Sequence, residues 1–168
     1  LLFYPDFRAE ERAFQLLTQV AGRGGRSQEQ GRVVIQTYMP DNPVINQVMK
    51  YDYWAMYAAQ LAERQAHGFP PFMKLIRITL KHRNPQLVEE AARWLANGLI
   101  QINGLQVLGP QEPAIVRVRD EYLRNILLKY SPKASATTIK KAVQHLLDSF
   151  ESIGAYRGVK RVVQVDVY

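Results

Sequence analysis

Apolar residues recur at helical spacing near the start of the chain, where Phe14, Leu17 and Ala21 share one face with Val20 beside them. Pro5 and Asp6 precede this helix, and Gly22 is expected to close it as a C-terminal glycine. The period then changes. Residues 32–38 (RVVIQTY) form a short β-branched run between Gly31 and Pro40, which predicts a buried strand. Helical spacing returns after Asp41-Asn42-Pro43, a capping sequence with proline in the first turn, and predicts one helix to about Ala66. The block Gly68-Phe69-Pro70-Pro71-Phe72 stops that helix and marks a domain boundary.

Beyond the boundary, residues 74–81 alternate around Leu75, Ile76, Ile78 and Leu80 and predict a strand. Residues 85–102 carry Leu87, Ala91, Trp94, Leu95 and Leu99 at helical spacing. Short strands are predicted at 105–109 and 114–118, and a longer one at 122–130. Residues 135–153 predict a second amphipathic helix, capped by Ser135 or Thr137, and 159–167 a last strand with Val163, Val165 and Val167 on one side. This order describes an α+β domain with two helices on one face of an antiparallel or mixed sheet. The expected organisation is therefore an α/β lobe edge at 1–40, a linker helix at 41–68 and the α+β domain at 69–168.

Charge sharpens this division. Residues 1–68 hold seven basic and seven acidic side chains, whereas 69–168 hold fifteen basic against eight acidic, so the whole net charge of +7 lies in the second part. A basic domain behind a neutral segment points to a polyanion partner. With 168 residues and 47% hydrophobic content the chain can bury a core. The absence of cysteine excludes disulfides and a cysteine-ligated zinc site, and fits a reducing compartment, with the cytoplasm expected. No apolar run approaches the roughly 20 residues needed to span a bilayer, so no membrane partner is expected.

The segment Gln19-Val20-Ala21-Gly22-Arg23-Gly24-Gly25-Arg26 carries the most specific chemistry. Arginine presents a planar fork of donors at fixed charge, and two of them by a helix end suit phosphate oxygens and the charge that develops in phosphoryl transfer. No G-x-x-x-x-G-K-[ST] loop or strand ending in paired acids is present to hold the nucleotide and its magnesium ion. The chain begins Leu1-Leu2 and is expected to be the tail of a longer protein that supplies them. His67, His82 and His145 stand in no catalytic or metal-ligand spacing.

These residues carry a family resemblance. Tyr4-Pro5-Asp6-Phe7-Arg8-Ala9, Glu11-Arg12 and the run from Phe14 to Arg26 resemble the last helicase motif of the primosomal protein N′ family, the bacterial replication-restart helicases. The likeness continues through the Phe69 to Phe72 block, Leu108-Gly109-Pro110, Leu127-Leu128-Lys129 and Val165-Asp166-Val167. It implies the end of a RecA-like helicase lobe followed by a domain similar to a ribosomal small-subunit protein. It also implies an ATP- and magnesium-dependent DNA helicase moving 3′ to 5′ that restarts stalled forks and assembles the primosome. The implied partners are forked and single-stranded DNA, single-stranded-DNA-binding protein and other primosome proteins. By this resemblance Arg26 is the arginine finger, Arg23 assists, and Gln19 helps to sense ATP. The family has alanine at the place of Gly24, a difference expected to loosen the loop. Its zinc cysteines and first helicase lobe lie outside this sequence, so the chain alone is expected neither to hydrolyse ATP nor to bind zinc.

In the basic domain, Arg117, Arg119, Arg124, Lys129, Lys133, Lys140 and Lys141, with Tyr122 and Tyr130 interleaved, are candidates for a phosphate-tracking face with rings for stacking. Alternation puts Arg124 on the side of Tyr122, Ile126, Leu128 and Tyr130, which argues against one flat basic surface. Lys133 stands in a turn where it could take an acidic peptide instead. The aromatic stretch Tyr51, Tyr53, Trp54 and Tyr57 reads as rings packed into a core or interface, with base stacking the other reading. Two function classes stay open: part of a restart helicase, or a stand-alone basic nucleic-acid-binding or adaptor domain with an incidental glycine-arginine loop.

Overall fold

The long strands β1 (Lys74–His82) and β4 (Glu121–Tyr130) pair antiparallel along their whole length, Lys74 opposite Tyr130 and His82 opposite Tyr122. On the flanks, β2 (Leu105–Gln111) pairs with β4 and β5 (Lys160–Val165) with β1, giving an antiparallel sheet of order β2-β4-β1-β5. The short β3 (Arg117–Val118) folds back on the start of β4 through Arg119 and Asp120, both at positive φ, as a two-residue primed turn requires. The structure is a computed structural model and describes residues 6–24 and 32–166. Its chain divides into two compact units, Leu1–His67 and Gly68–Tyr168.

In the second unit, helices α4 (Pro85–Ile100) and α5 (Ala136–Glu151) cover one face of the sheet. Even-numbered residues of β1 and β4 point at them: Ile76, Ile78, Leu80, Ile126, Leu128 and Tyr130 are buried against Leu95, Leu99, Val143 and Phe150. Truncating such a side chain to alanine typically costs about 2–5 kcal/mol. Both helices begin at a side-chain cap. Asn84 accepts from the backbone N–H of Gln86 at 2.9 Å, ahead of Pro85 in the first turn, and Ser135, rather than Thr137, accepts from Thr138 at 3.3 Å. The α+β fold read from the sequence stands, with every strand pair antiparallel. The strand expected at 114–118 contracts to Arg117 and Val118, because β2 already occupies β4 as far as Asn125 and leaves only its first residues free for pairing.

The first unit packs α1 (Ala9–Ala21) against α2 (Pro43–Met49) and α3 (Tyr53–His67) around Ala13, Phe14, Val44, Val48 and Met56. Three expectations change here. The single helix from Pro43 is two helices, broken where Tyr51 takes a φ of 52° and where Asp52 caps α3 by accepting from Ala55 N–H at 2.9 Å. The buried strand at 32–38 is not formed: Val34 is 77% exposed, and among the described residues no neighbouring strand supplies the ladder that a β-branched run needs. Gly22 ends α1 in right-handed geometry, φ −65°, its N–H bonded to Thr18 O, without the left-handed turn that glycine allows. The rings of Tyr51, Tyr53, Trp54 and Tyr57 also remain largely exposed within this unit, since α3 buries only Met56 and Gln60.

Candidate nucleic-acid interface

The motif segment sits at an open helix end. Gln19 and Arg23 are exposed, and Arg23 and Gly24 continue α1 as a turn, bonding back to Val20 O and Ala21 O at 3.1 Å each. The carboxyl end of a helix carries partial negative charge, so any attraction for phosphate there must come from the arginines themselves. Arg23 makes no ion pair among the described residues; Arg26 lies outside them. The two exposed donors thus suit a polyphosphate, while nothing among the described residues of this unit would enclose one. Gly24 is not merely permissive, because a Cβ there would stand 2.8 Å from Val33 Cγ2. The missing methyl leaves room for Val33, itself an exposed side chain.

The nominated basic residues of the second unit do not form one surface. Arg124 is 9% exposed on the helix-covered face, where its guanidinium donates to Glu89 and lies 2.9 Å from Glu112. Lys129 is 5% exposed on the opposite face, its ammonium 3.9 Å from the centre of the Phe69 ring, and burial holds its pKa below the ordinary lysine value. Neither is placed to track a phosphate backbone. Tyr130 is fully buried, and one face of Tyr122 is occupied by the Arg117 guanidinium at 5.3 Å, so the interleaved rings are not stacking platforms. Arg117 itself pairs with Asp120 at 2.6 Å. Arg119 projects from the hairpin turn, while Lys133, Lys140 and Lys141 are exposed at the start and outer side of α5.

The register instead gathers unnominated cations on the helix-free face. Odd-numbered residues of β1 and β4 lie there, joined by Lys160, Val162 and Gln164 of β5. Arg77 stands between Leu127 and Gln164, Thr79 Oγ1 donates to Asn125 Oδ1 at 2.8 Å, and Lys81 lies directly opposite Lys160. Like charges facing each other across a strand pair are unfavourable, so the Lys81–Lys160 pair works against the sheet that holds it. Glu121 relieves it in part. Its carboxylate accepts from Lys160 Nζ at 2.6 Å and is held below the ordinary value, first by that hydrogen bond and then by the charges of Lys160, Lys81 and Arg83. Sequence reading followed the apolar parity of β1 and passed over its complement, Arg77, Thr79 and Lys81, which was equally legible in the alternation.

Residues 65–168 match the family described as the primosomal protein N C-terminal domain. The chain belongs to that family. It is 35% identical over 147 residues to the replication restart protein PriA of Bacillus subtilis (strain 168), covering 86% of this chain and 18% of that protein. The corresponding protein of Thermotoga maritima is 31% identical over 166 residues, 99% of this chain and 21% of the relative. That of Chlamydia trachomatis serovar D is 47% identical over 76 residues, 45% of this chain and 10% of the relative. The chain thus spans about a fifth of the length of the first two relatives. The family match covers the whole second unit, which also carries the positive surplus. Among the described residues no helix is long and apolar enough to cross a membrane, and no group of three or more acidic or histidine side chains is arranged to hold a metal.

Proposed function

We propose that this chain is the C-terminal part of an ATP-dependent DNA helicase of replication restart, in which the second unit grips DNA through its helix-free sheet face. The observation that carries the reading is the cross-strand pair Lys81–Lys160, with Arg77 four residues along the same face, in a unit with fifteen basic and eight acidic side chains. A like-charge pair on an open sheet face is stabilised by a polyanion laid across it, and phosphates spaced along a nucleic-acid strand supply one. Leu127 and Val162 beside these cations give the sugar and base edges an apolar surface, without specific readout.

In this reading Gln19, Arg23 and Arg26 face ATP held by the rest of the enzyme, and magnesium is bound there too. Arg26 acts as the finger toward the transferred phosphate, a role worth about 10³ to 10⁵ in rate where it operates. The enzyme works in the cytoplasm with forked and single-stranded DNA, single-stranded-DNA-binding protein and primosome proteins as partners. Residues 1–40 belong to the second RecA-like lobe, 41–68 link it, and 69–168 form a ribosomal-protein-like module.

The test is fluorescence anisotropy of labelled forked and single-stranded DNA with this chain across a salt series. A steep linear fall of log affinity with log salt is expected, with a slope of about −0.7 to −0.9 per phosphate neutralised. Absence of binding at low salt would remove the second unit from the DNA grip and turn the basic face toward a protein partner.

A further inference from the structure

His82 closes β1 at the end of the sheet where Lys81 faces Lys160, its ring half-buried opposite Tyr122 on the helix-covered side. The fold sets its tautomer. Nδ1 accepts from the Asn84 backbone N–H at 3.0 Å, so the proton of the neutral ring sits on Nε2. That Nε2–H meets no acceptor among the described residues. A neutral N–H fixed in direction gains most from an ionised acceptor.

Gly158 keeps the space beside that donor open. A Cβ built on it would stand 3.2 Å from His82 Nε2 and 3.6 Å from Cδ2, and apart from the glycine's chain neighbours no other atom lies within 4 Å. The gap is therefore at the N–H edge of the imidazole and not over its face. Gly158 lies outside the left-handed region, so the backbone does not require glycine there, and what a side chain would change is the gap. The Gly158 N–H also has no acceptor among the described residues. Two neutral donors thus border one notch, with room for an oxygen at hydrogen-bond distance from Nε2.

Charge selects what fills it. Arg83 follows His82 and Arg157 precedes Gly158, both exposed and in no salt bridge among the described residues. The carboxylates at this end of the sheet are engaged elsewhere, Asp120 with Arg117, Glu121 with Lys160 and Glu151 with Arg161. Two fixed positive charges and two neutral N–H groups match a dianion. A terminal phosphate carries a charge of about −1.5 to −2 at neutral pH, whereas an internal phosphodiester carries a single charge and is tethered on both sides. We infer that His82, Gly158, Arg83 and Arg157 form a site for the terminal phosphate of a DNA strand, with His82 Nε2–H and the Gly158 N–H donating to its oxygens. The inference rests on the DNA reading for the source of the phosphate, because Lys81 leads from the helix-free face to His82; the notch itself takes a phosphomonoester whatever carries it.

The test follows the His82 imidazole resonance of this chain, identified by its loss in His82→Gln, while thymidine 5′-monophosphate is titrated, with the diester thymidylyl-thymidine and thymidine as comparators. A saturable shift is expected with the monophosphate, at least tenfold weaker with the diester and absent with thymidine. Gly158→Ala changes no charge but puts a methyl group in the notch, and it should weaken the monophosphate at least tenfold. Should that variant fail to fold, Arg83→Gln with Arg157→Gln, both at exposed positions, takes its place with the same expected loss. Single strands labelled at the 3′ end, with and without a 5′-phosphate, are then compared by anisotropy, and the phosphorylated strand should bind at least threefold tighter to the parent and no tighter to Gly158→Ala. Equal affinity for monophosphate and diester overturns the inference, as does an unchanged affinity in a folded Gly158→Ala. If neither oligonucleotide binds while the monophosphate still shifts His82, the DNA reading fails and the phosphomonoester site stands.

Discussion

Arg124 of β4 and Glu89 of α4 form an ion pair beneath the helix layer, Nε to Oε2 at 2.5 Å, so the guanidinium that alternation places on the apolar side of β4 joins helix to sheet. Glu112 closes the other side of the guanidinium, but it is more than half exposed and a weaker partner. Removing Glu89 leaves a nearly buried charge short of its main counterion, whereas removing both partners leaves none. Glu89→Ala is expected to destabilise the second unit by about 1–3 kcal/mol, and Glu89→Leu with Arg124→Met to recover most of that. Urea unfolding followed by Trp94 in a Trp54→Phe background measures it. A single variant as stable as its parent would mean that solvent already screens the pair.

The two units are expected to respond to acid with opposite sign. Glu89 is held below its ordinary value by the Arg124 hydrogen bond first and the Arg93 hydrogen bond next. Its contribution is therefore complete above the ordinary glutamate value of about 4.3 and is lost as pH falls through the lower folded-state value. Glu10 is raised by burial and by Glu63, so its contribution is complete below about 4.3 and is lost as pH rises through the higher folded-state value. Glu89→Gln should flatten the acid limb of the second unit, read by Trp94. Glu10→Gln should flatten the loss of the first unit above about pH 4.3, read by Trp54. Identical pH profiles for variant and parent would contradict both assignments.

Gly109 sets the shape of the β2 edge. It adopts a φ of +102°, and a Cβ there would come 2.7 Å from the carbonyl oxygen of Asn125, at the register shift between Leu108 and Gln111. That oxygen is backbone and cannot swing aside, so Gly109→Ala should cost about 1–3 kcal/mol from the strained conformation, with the clash adding to it. Gly154→Ala, whose Cβ would meet nothing within 4 Å, serves as the control and should leave the melting temperature of the second unit unchanged. Equal melting temperatures for the two variants would show that the bulge relaxes freely.

The same residues indicate what could be read before the fold was known. Ile76, Ile78 and Leu80 alternate cleanly because one side of the sheet faces helices, and Asn84-Pro85 and Ser135 announce helix starts by local chemistry, so these elements were legible. The run 32–38 was misread because β-branched composition records fitness for a ladder, and no ladder is at hand among the described residues. At the break the left-handed Tyr51 carries no sequence signal, and the only local cue is the capping residue Asp52. Alternation places Arg124 on the apolar side of β4, but charge alone does not reveal Glu89 beside it, nor Phe69 above Lys129. The motif at Gln19 and Arg23 was legible as chemistry, but what it faces depends on residues distant in sequence.

If the helix-free face holds DNA, charge changes there must alter the salt dependence as well as the affinity. Lys81→Gln and Lys160→Gln should each weaken binding to a labelled fork, and each should reduce the magnitude of the log–log salt slope by about 1. Glu121→Gln removes the carboxylate bound to Lys160 and should strengthen binding without altering the fold, since Glu121 lies near the end of the sheet. Lys129→Met should leave the slope unchanged, because that ammonium is already covered by Phe69. The helix layer offers the competing surface. Lys140→Gln with Lys141→Gln should have little effect, and if that pair lowers the slope while Lys81→Gln and Lys160→Gln do not, DNA lies along α5 and the cross-strand lysines serve another partner.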